Sequence, residues 1–124
     1  MKSLLLVFLG GGAGSALRYL MGKWLNGNYP DIPFGTFMAN VLGCLIIGLL
    51  LGYATKTNSL SETSSLLLAT GFCGGFTTFS TFAYENQVFL KNGDLGLFAV
   101  YTFGSLALGL AAVFIGLWMT SKLF

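Results

Sequence analysis

The residues of this chain that have chemistry to offer are few, and they cluster. Within a long apolar stretch lies Gly71-Phe-Cys-Gly-Gly-Phe-Thr-Thr-Phe-Ser-Thr-Phe82, which combines three glycines with four hydroxyl side chains. Glycine weakens a helix by about 1 kcal/mol relative to alanine, and Ser and Thr side chains compete for backbone partners. Two readings follow. Either the helix breaks here, freeing carbonyls that can hold a cation and half-helix N-termini that favour an anion, or it continues and its hydroxyls bond back one turn. Phe76, Phe79 and Phe82 recur at a three-residue spacing that puts them along one face, a pattern more often made by lipid or core contacts than by a functional stripe.

Catalytic chemistry finds little support. The chain has no histidine, its two cysteines, Cys44 and Cys73, lie inside apolar runs, and its four acidic residues fall in different segments. A transition-metal cluster of ordinary spacing cannot be assembled from these, and no nucleophile is paired with a base. The sequence therefore reads as a non-enzyme, and nothing in it points to nucleic acid. The Gly10 to Gly14 cluster fails as a dinucleotide loop because Leu17 stands where the last glycine belongs and no strand precedes it.

The elements that must position the cluster follow from composition. Of 124 residues, 55% are hydrophobic and only 8% charged, far from the soluble balance in which about a quarter are charged. The apolar residues form four runs, roughly 4–24, 34–54, 66–90 and 95–119, each close to the ~20 residues that cross a hydrocarbon core. Polar connectors with turn chemistry separate them, at residues 26–33, 55–59 and 91–94. Met-Lys-Ser before the first run resembles the start of a secretory leader, but the glycines at 10–12 interrupt the apolar stretch and favour a span. The expected fold is thus an all-α integral membrane protein, one domain of four transmembrane helices. Gly10 and Gly14, Gly48 and Gly52, and Gly71 and Gly75 have the spacing of close helix packing.

Charge gives no strong orientation. With four crossings, Lys2, Lys56 and Lys122 share the side of the termini, while Lys23 and Lys91 lie opposite, joined by Arg18 if it snorkels that way. Such a tie suits a short chain with few charges, and it also suits insertion in both directions, with two inverted copies forming an antiparallel dimer. Arg18 is read either as drawing anions into a vestibule or as reaching lipid phosphate. Glu85 is read as pairing or capping near the end of the third span, with a role in the pathway as the alternative. A proton-coupled exporter would want a carboxylate within the first helix, which has none, and a non-conducting scaffold would have no use for Asn40 or a broken third helix.

Three blocks resemble the small bacterial fluoride channels, the Fluc or CrcB family. They are Gly11-Gly-Ala-Gly-Ser-Ala-Leu-Arg-Tyr19, Pro33-Phe-Gly-Thr-Phe-Met-Ala-Asn-Val-Leu-Gly43 and the Gly71 to Phe82 segment. The resemblance implies a fluoride-selective channel in the plasma (inner) membrane of a bacterium, exporting fluoride down its electrochemical gradient and relieving its toxicity. It implies an antiparallel, dual-topology homodimer with two pores, a broken third helix, and a structural sodium ion held by the carbonyls of Gly74 and Thr77. The anion pathway it implies comprises Asn40, Phe79, Ser80, Thr81, Phe82, Tyr101 and Ser105, with Arg18 in a possible vestibule. Gly109 departs from relatives that carry a hydroxyl there, so the polar track on the fourth helix is expected to be shorter or wetter.

Overall fold

The computed structural model describes residues 1–27, 31–58 and 60–123; residues 28–30 of the first connector and Ser59 of the second lie outside the described residues. Helix α1 covers Lys2–Leu25 and α2 covers Phe34–Thr57. They are followed by the short α3 at Glu62–Ser64, a π-helical stretch, π1, at Ser65–Cys73, α4 at Gly74–Phe76, α5 at Phe79–Lys91 and α6 at Leu95–Leu123. Among the described residues, four units are long and apolar enough to cross a membrane: α1, α2, the composite Glu62–Lys91 and α6. The chain is therefore all-helical with four candidate spans.

Local signals set the helix ends. Asn58 adopts the left-handed conformation after α2 and returns its N–H to the Ala54 carbonyl, the αL stop that Asn tolerates better than most residues. Ser61 caps the next segment by accepting from the Ser64 amide at 3.0 Å. After α5, Gly93 takes φ +76°, with Gly93 N–H donating to Leu90 and Asp94 N–H to Phe89. Those are the two bonds of a Schellman stop, which needs a residue without Cβ at the left-handed position.

Packing is inverted relative to a soluble protein. Large side chains such as Leu4, Phe8, Trp24, Phe103, Phe114 and Trp118 are exposed, as suits a surface solvated by lipid. The buried positions are mostly small: Gly10 and Gly14 on α1, Ala39, Gly43, Gly48 and Gly52 on α2, and Gly109, Ala112 and Gly116 on α6. A Cβ at Gly10 or Gly14 would overlap backbone atoms of Leu67 or Phe72, and one at Gly75 would overlap Gly11. The α2–α6 seam is built the same way, Gly48 against Val113, Gly52 against Thr120 and Gly116 against Leu45. The four-residue glycine spacings in the sequence thus mark two backbone-to-backbone seams, in which dispersion replaces the absent hydrophobic drive.

Replacing Gly14 by Ala should therefore lower thermal stability in detergent by about 1–3 kcal/mol, the usual cost of overpacking. Gly96→Ala, whose Cβ would meet nothing within 4 Å, should stay within about 0.5 kcal/mol of the parent. Equal melting temperatures for the two variants would refute the α1–π1 seam.

Candidate functional site

The site is organised by an interruption in the third candidate span. Thr77 (φ −86°, ψ 157°) and Thr78 (φ −151°, ψ 123°) are both extended between α4 and α5. Accounting for the backbone explains how this is tolerated. In an uninterrupted α ladder the Thr78 amide would bond to Gly74, the Phe79 amide to Gly75 and the Thr81 amide to Thr77. Instead, Thr78 N–H donates to Asn40 Oδ1 at 2.7 Å, and the Asn40 amide returns a bond from Nδ2 to the Thr78 carbonyl at 3.2 Å. The Gly75 carbonyl accepts from Arg18 Nε at 3.0 Å and from Ser15 Oγ at 3.4 Å. Thr81 N–H donates to the side chain of Thr78 at 3.2 Å, making Thr78 the N-cap of α5. Thr77 remains tied to the preceding turn, its N–H and Oγ1 both donating to the Cys73 carbonyl.

The carbonyls of Gly74, Gly75 and Thr77 thereby lose their ladder donors, and of the three Gly75 is the one given side-chain donors from α1. Gly74 and Thr77 line an open groove of about 560 Å³ that runs between α2, the interruption and α6. A Cβ added to Gly74 would meet nothing within 4 Å. Neutral carbonyl oxygens without a ladder donor are ligands for a hard cation. Among the described residues, no group of three or more His, Cys, Asp or Glu could hold a metal through side chains.

The same groove gathers donors for an anion. Asn40, Thr78, Phe79, Phe82 and Ser105 line it, and none of its lining residues is charged. Asn40 has a second amide hydrogen beyond the one given to Thr78. Ser105 Oγ is buried and has no partner among the described residues. The first N–H groups of α5 have no intrahelical acceptor and carry the positive end of the helix dipole. Phe79 is 77% exposed, and its ring lies 6.2 Å from that of Phe82.

A polar knot lies behind Phe82. Its ring meets Tyr101 at 5.1 Å, and the Tyr101 hydroxyl donates to Glu85 Oε1 at 2.6 Å. Thr36 Oγ1 donates to Glu85 Oε2 at 2.7 Å, while Asn26 Oδ1 accepts from the Gly35 and Thr36 amides. Tyr101 and Thr36 are almost wholly buried, so α2, α5 and α6 are joined through one half-buried carboxylate, and Asn26 is tied to it through Thr36.

Of the residues singled out from the sequence, Asn40, Phe79, Phe82, Ser105, Gly74 and Thr77 meet in the groove. Ser80 is exposed beside the cap, 3.4 Å from Thr78 Oγ1, and Thr81 is half-buried with its amide in that cap. Tyr101 directs its hydroxyl to Glu85, which pairs near the end of the span as the sequence suggested. Arg18 turns to the Gly75 carbonyl, a destination the sequence reading had not considered. Phe76, at 2% exposure and stacked on Phe72, is core. Sequence reasoning passed over Thr78, Ser15 and Thr36. Thr78 had a signal, since Thr is a favoured N-cap residue at a helix start; Ser15 and Thr36 had none.

The family described as CrcB-like protein, Camphor Resistance (CrcB), matches residues 5–117 of the chain. The fluoride-specific ion channel FluC of Gloeothece citriformis is 50% identical over 123 residues, covering 98% of this chain and 99% of that protein. The FluC of Phocaeicola vulgatus is 45% identical over 122 residues, covering 97% and 99%. That of Flavobacterium psychrophilum is 41% identical over 124 residues, covering 99% and 100%.

Proposed function

The chain belongs to the CrcB family and is a multi-pass membrane protein of a bacterium, and from that premise we propose that it conducts fluoride selectively across the membrane. It is a channel and not an enzyme, as the names of its relatives indicate. One observation carries the reading: the Asn40 amide, the capped N-terminus of α5, the Ser105 hydroxyl and two phenylalanines converge on a single uncharged groove. Stripping a small anion of water costs tens of kcal/mol by Born estimates unless donors replace the shell. Amide and hydroxyl hydrogens, helix N–H groups and the positive edges of Phe79 and Phe82 are such donors. Being neutral, they hold the ion weakly enough for it to leave, as conduction requires.

The pathway runs past Asn40, Phe79, Ser80, Thr81 and Phe82 toward Tyr101 and Ser105. The working unit is an antiparallel, dual-topology homodimer with two pores. Its support is the near tie in Lys and Arg between the two ends, together with a groove left open along one face of the single chain. In a two-fold dimer each copy contributes the same surface, so a pathway formed once is formed twice.

At the centre, the third span acts as a broken helix, and a structural sodium ion is held by the backbone carbonyls of Gly74 and Thr77. The support is that these are the two carbonyls whose ladder donors go instead to Asn40 and to Thr78 Oγ1. Sodium supplies positive charge to oxygens that lipid cannot satisfy.

Fluoride efflux from proteoliposomes, with chloride as the control, tests the function; no fluoride flux, or equal fluxes of the two anions, would sink it. Asn40→Asp should lower fluoride flux about tenfold or more while the protein still purifies as the parent does, because a carboxylate repels the anion and cannot donate to the Thr78 carbonyl. Parental flux in that variant would remove Asn40 from the pathway.

Phe79→Ile and Phe82→Ile should each reduce flux per folded protein more than Phe76→Ile, since only the first two line the groove. Phe76→Ile should act mainly on stability, costing roughly 1–3 kcal/mol in the melting transition. Matching flux losses at all three positions would assign the phenylalanines to packing.

A further inference from the structure

Arg18 is tied to the interruption itself. Its Nε donates to the Gly75 carbonyl at 3.0 Å, and Ser15, one turn earlier on the same face of α1, places Oγ 3.4 Å from the same oxygen. The backbone there is gripped as well, because a Cβ on Gly75 would overlap the carbonyl of Gly11. On the other side, Gly74 and Thr77 line the groove, and Gly74 has open space where a Cβ would be. Gly75 is thus held against α1, while Gly74 before it and Thr77 two residues after it line the groove.

We propose that Arg18 is a positioning residue for the sodium site: by holding the Gly75 carbonyl against α1 it fixes the last turn so that the Gly74 and Thr77 carbonyls face the ion. The inference rests on the sodium reading above and adds to it a residue that never touches the ion. A guanidinium bond to a carbonyl is charge-assisted and directional, and a cation at the C-terminal end of a helix complements its dipole. Adjacent peptide planes share φ and ψ, so clamping one restricts the orientation of the next. Without the clamp, the Gly75 carbonyl, whose own ladder donor is missing, is free to turn and compete, and the pair must be ordered by the ion alone. Lysine, a point charge on a flexible stem, substitutes for the planar fork only in part.

The test is a sodium titration of the melting temperature of the purified full-length protein in detergent, with N-methylglucamine replacing sodium. The parent should gain stability as sodium rises. In Arg18→Gln the midpoint of that gain should move to about tenfold higher sodium, equivalent to about 1.4 kcal/mol. Ser15→Ala and Arg18→Lys should shift it less in the same direction, and Lys23→Gln, at an exposed position, should leave it in place. A melting temperature lowered equally at zero and saturating sodium, with an unmoved midpoint, would make Arg18 a packing residue and overturn the proposal. So would an unmoved midpoint with reduced fluoride flux, which would return Arg18 to anion attraction. If Arg18→Gln does not fold, unmoved midpoints in both Ser15→Ala and Arg18→Lys overturn it equally. A parent that shows no sodium response at all defeats the sodium reading itself, an outcome distinct from the others.

Discussion

A backbone amide or carbonyl that leaves its helix inside a bilayer has no water to turn to, and the organisation of this protein depends on that constraint. At Thr77 and Thr78 the chain is extended in the middle of a candidate span. The cost, several kcal/mol for each unpaired group, is met by side chains from three directions. Asn40 of α2 takes both polar groups of Thr78, Thr78 caps the following helix with its own hydroxyl, and Arg18 and Ser15 of α1 take the Gly75 carbonyl. Without those partners a continuous helix would be the lower state.

The glycine seams make these contacts possible. Asn40 and Arg18 have reach enough only because α1 lies in backbone contact with π1 and α4, and because Gly43 of α2 lets Thr77 approach. The π winding over Ser65–Cys73, a rare geometry that is frequent at functional sites, leads directly into the interruption. Small residues inside and large ones outside are therefore the means by which a polar interruption is enclosed within an apolar shell.

For the proposed conduction, the interruption has two consequences from one geometry. On the proposed reading the α5 N-terminus and the Asn40 amide would present hydrogens to an anion, and the freed carbonyls of Gly74 and Thr77 would present oxygens to a cation. That reading would use both sides of the interruption, and neither use would need a charged side chain in the groove. The polar knot engages the Glu85 carboxylate with Tyr101 and Thr36, and Glu85 does not line the groove.

What the sequence determined by itself was set by solvent and local sterics. Four apolar runs of spanning length, polar connectors and glycines spaced by four are one-dimensional signals, because the need to pair every backbone group in lipid allows little besides helices. The choice between a broken and a continuous Gly71 to Phe82 segment stayed open, since glycines and hydroxyls lower helix stability without saying what would satisfy the freed groups. Only the tertiary structure brings Asn40, 38 residues away in sequence, onto Thr78, and Arg18, 57 residues away, onto Gly75. The same holds for Tyr101, whose hydroxyl the sequence left available and whose bond to Glu85 arises because α5 and α6 pack antiparallel across a short turn. Hydrogen-bond partners at such separations depend on how the helices cross and rotate, which composition and spacing along one chain do not encode.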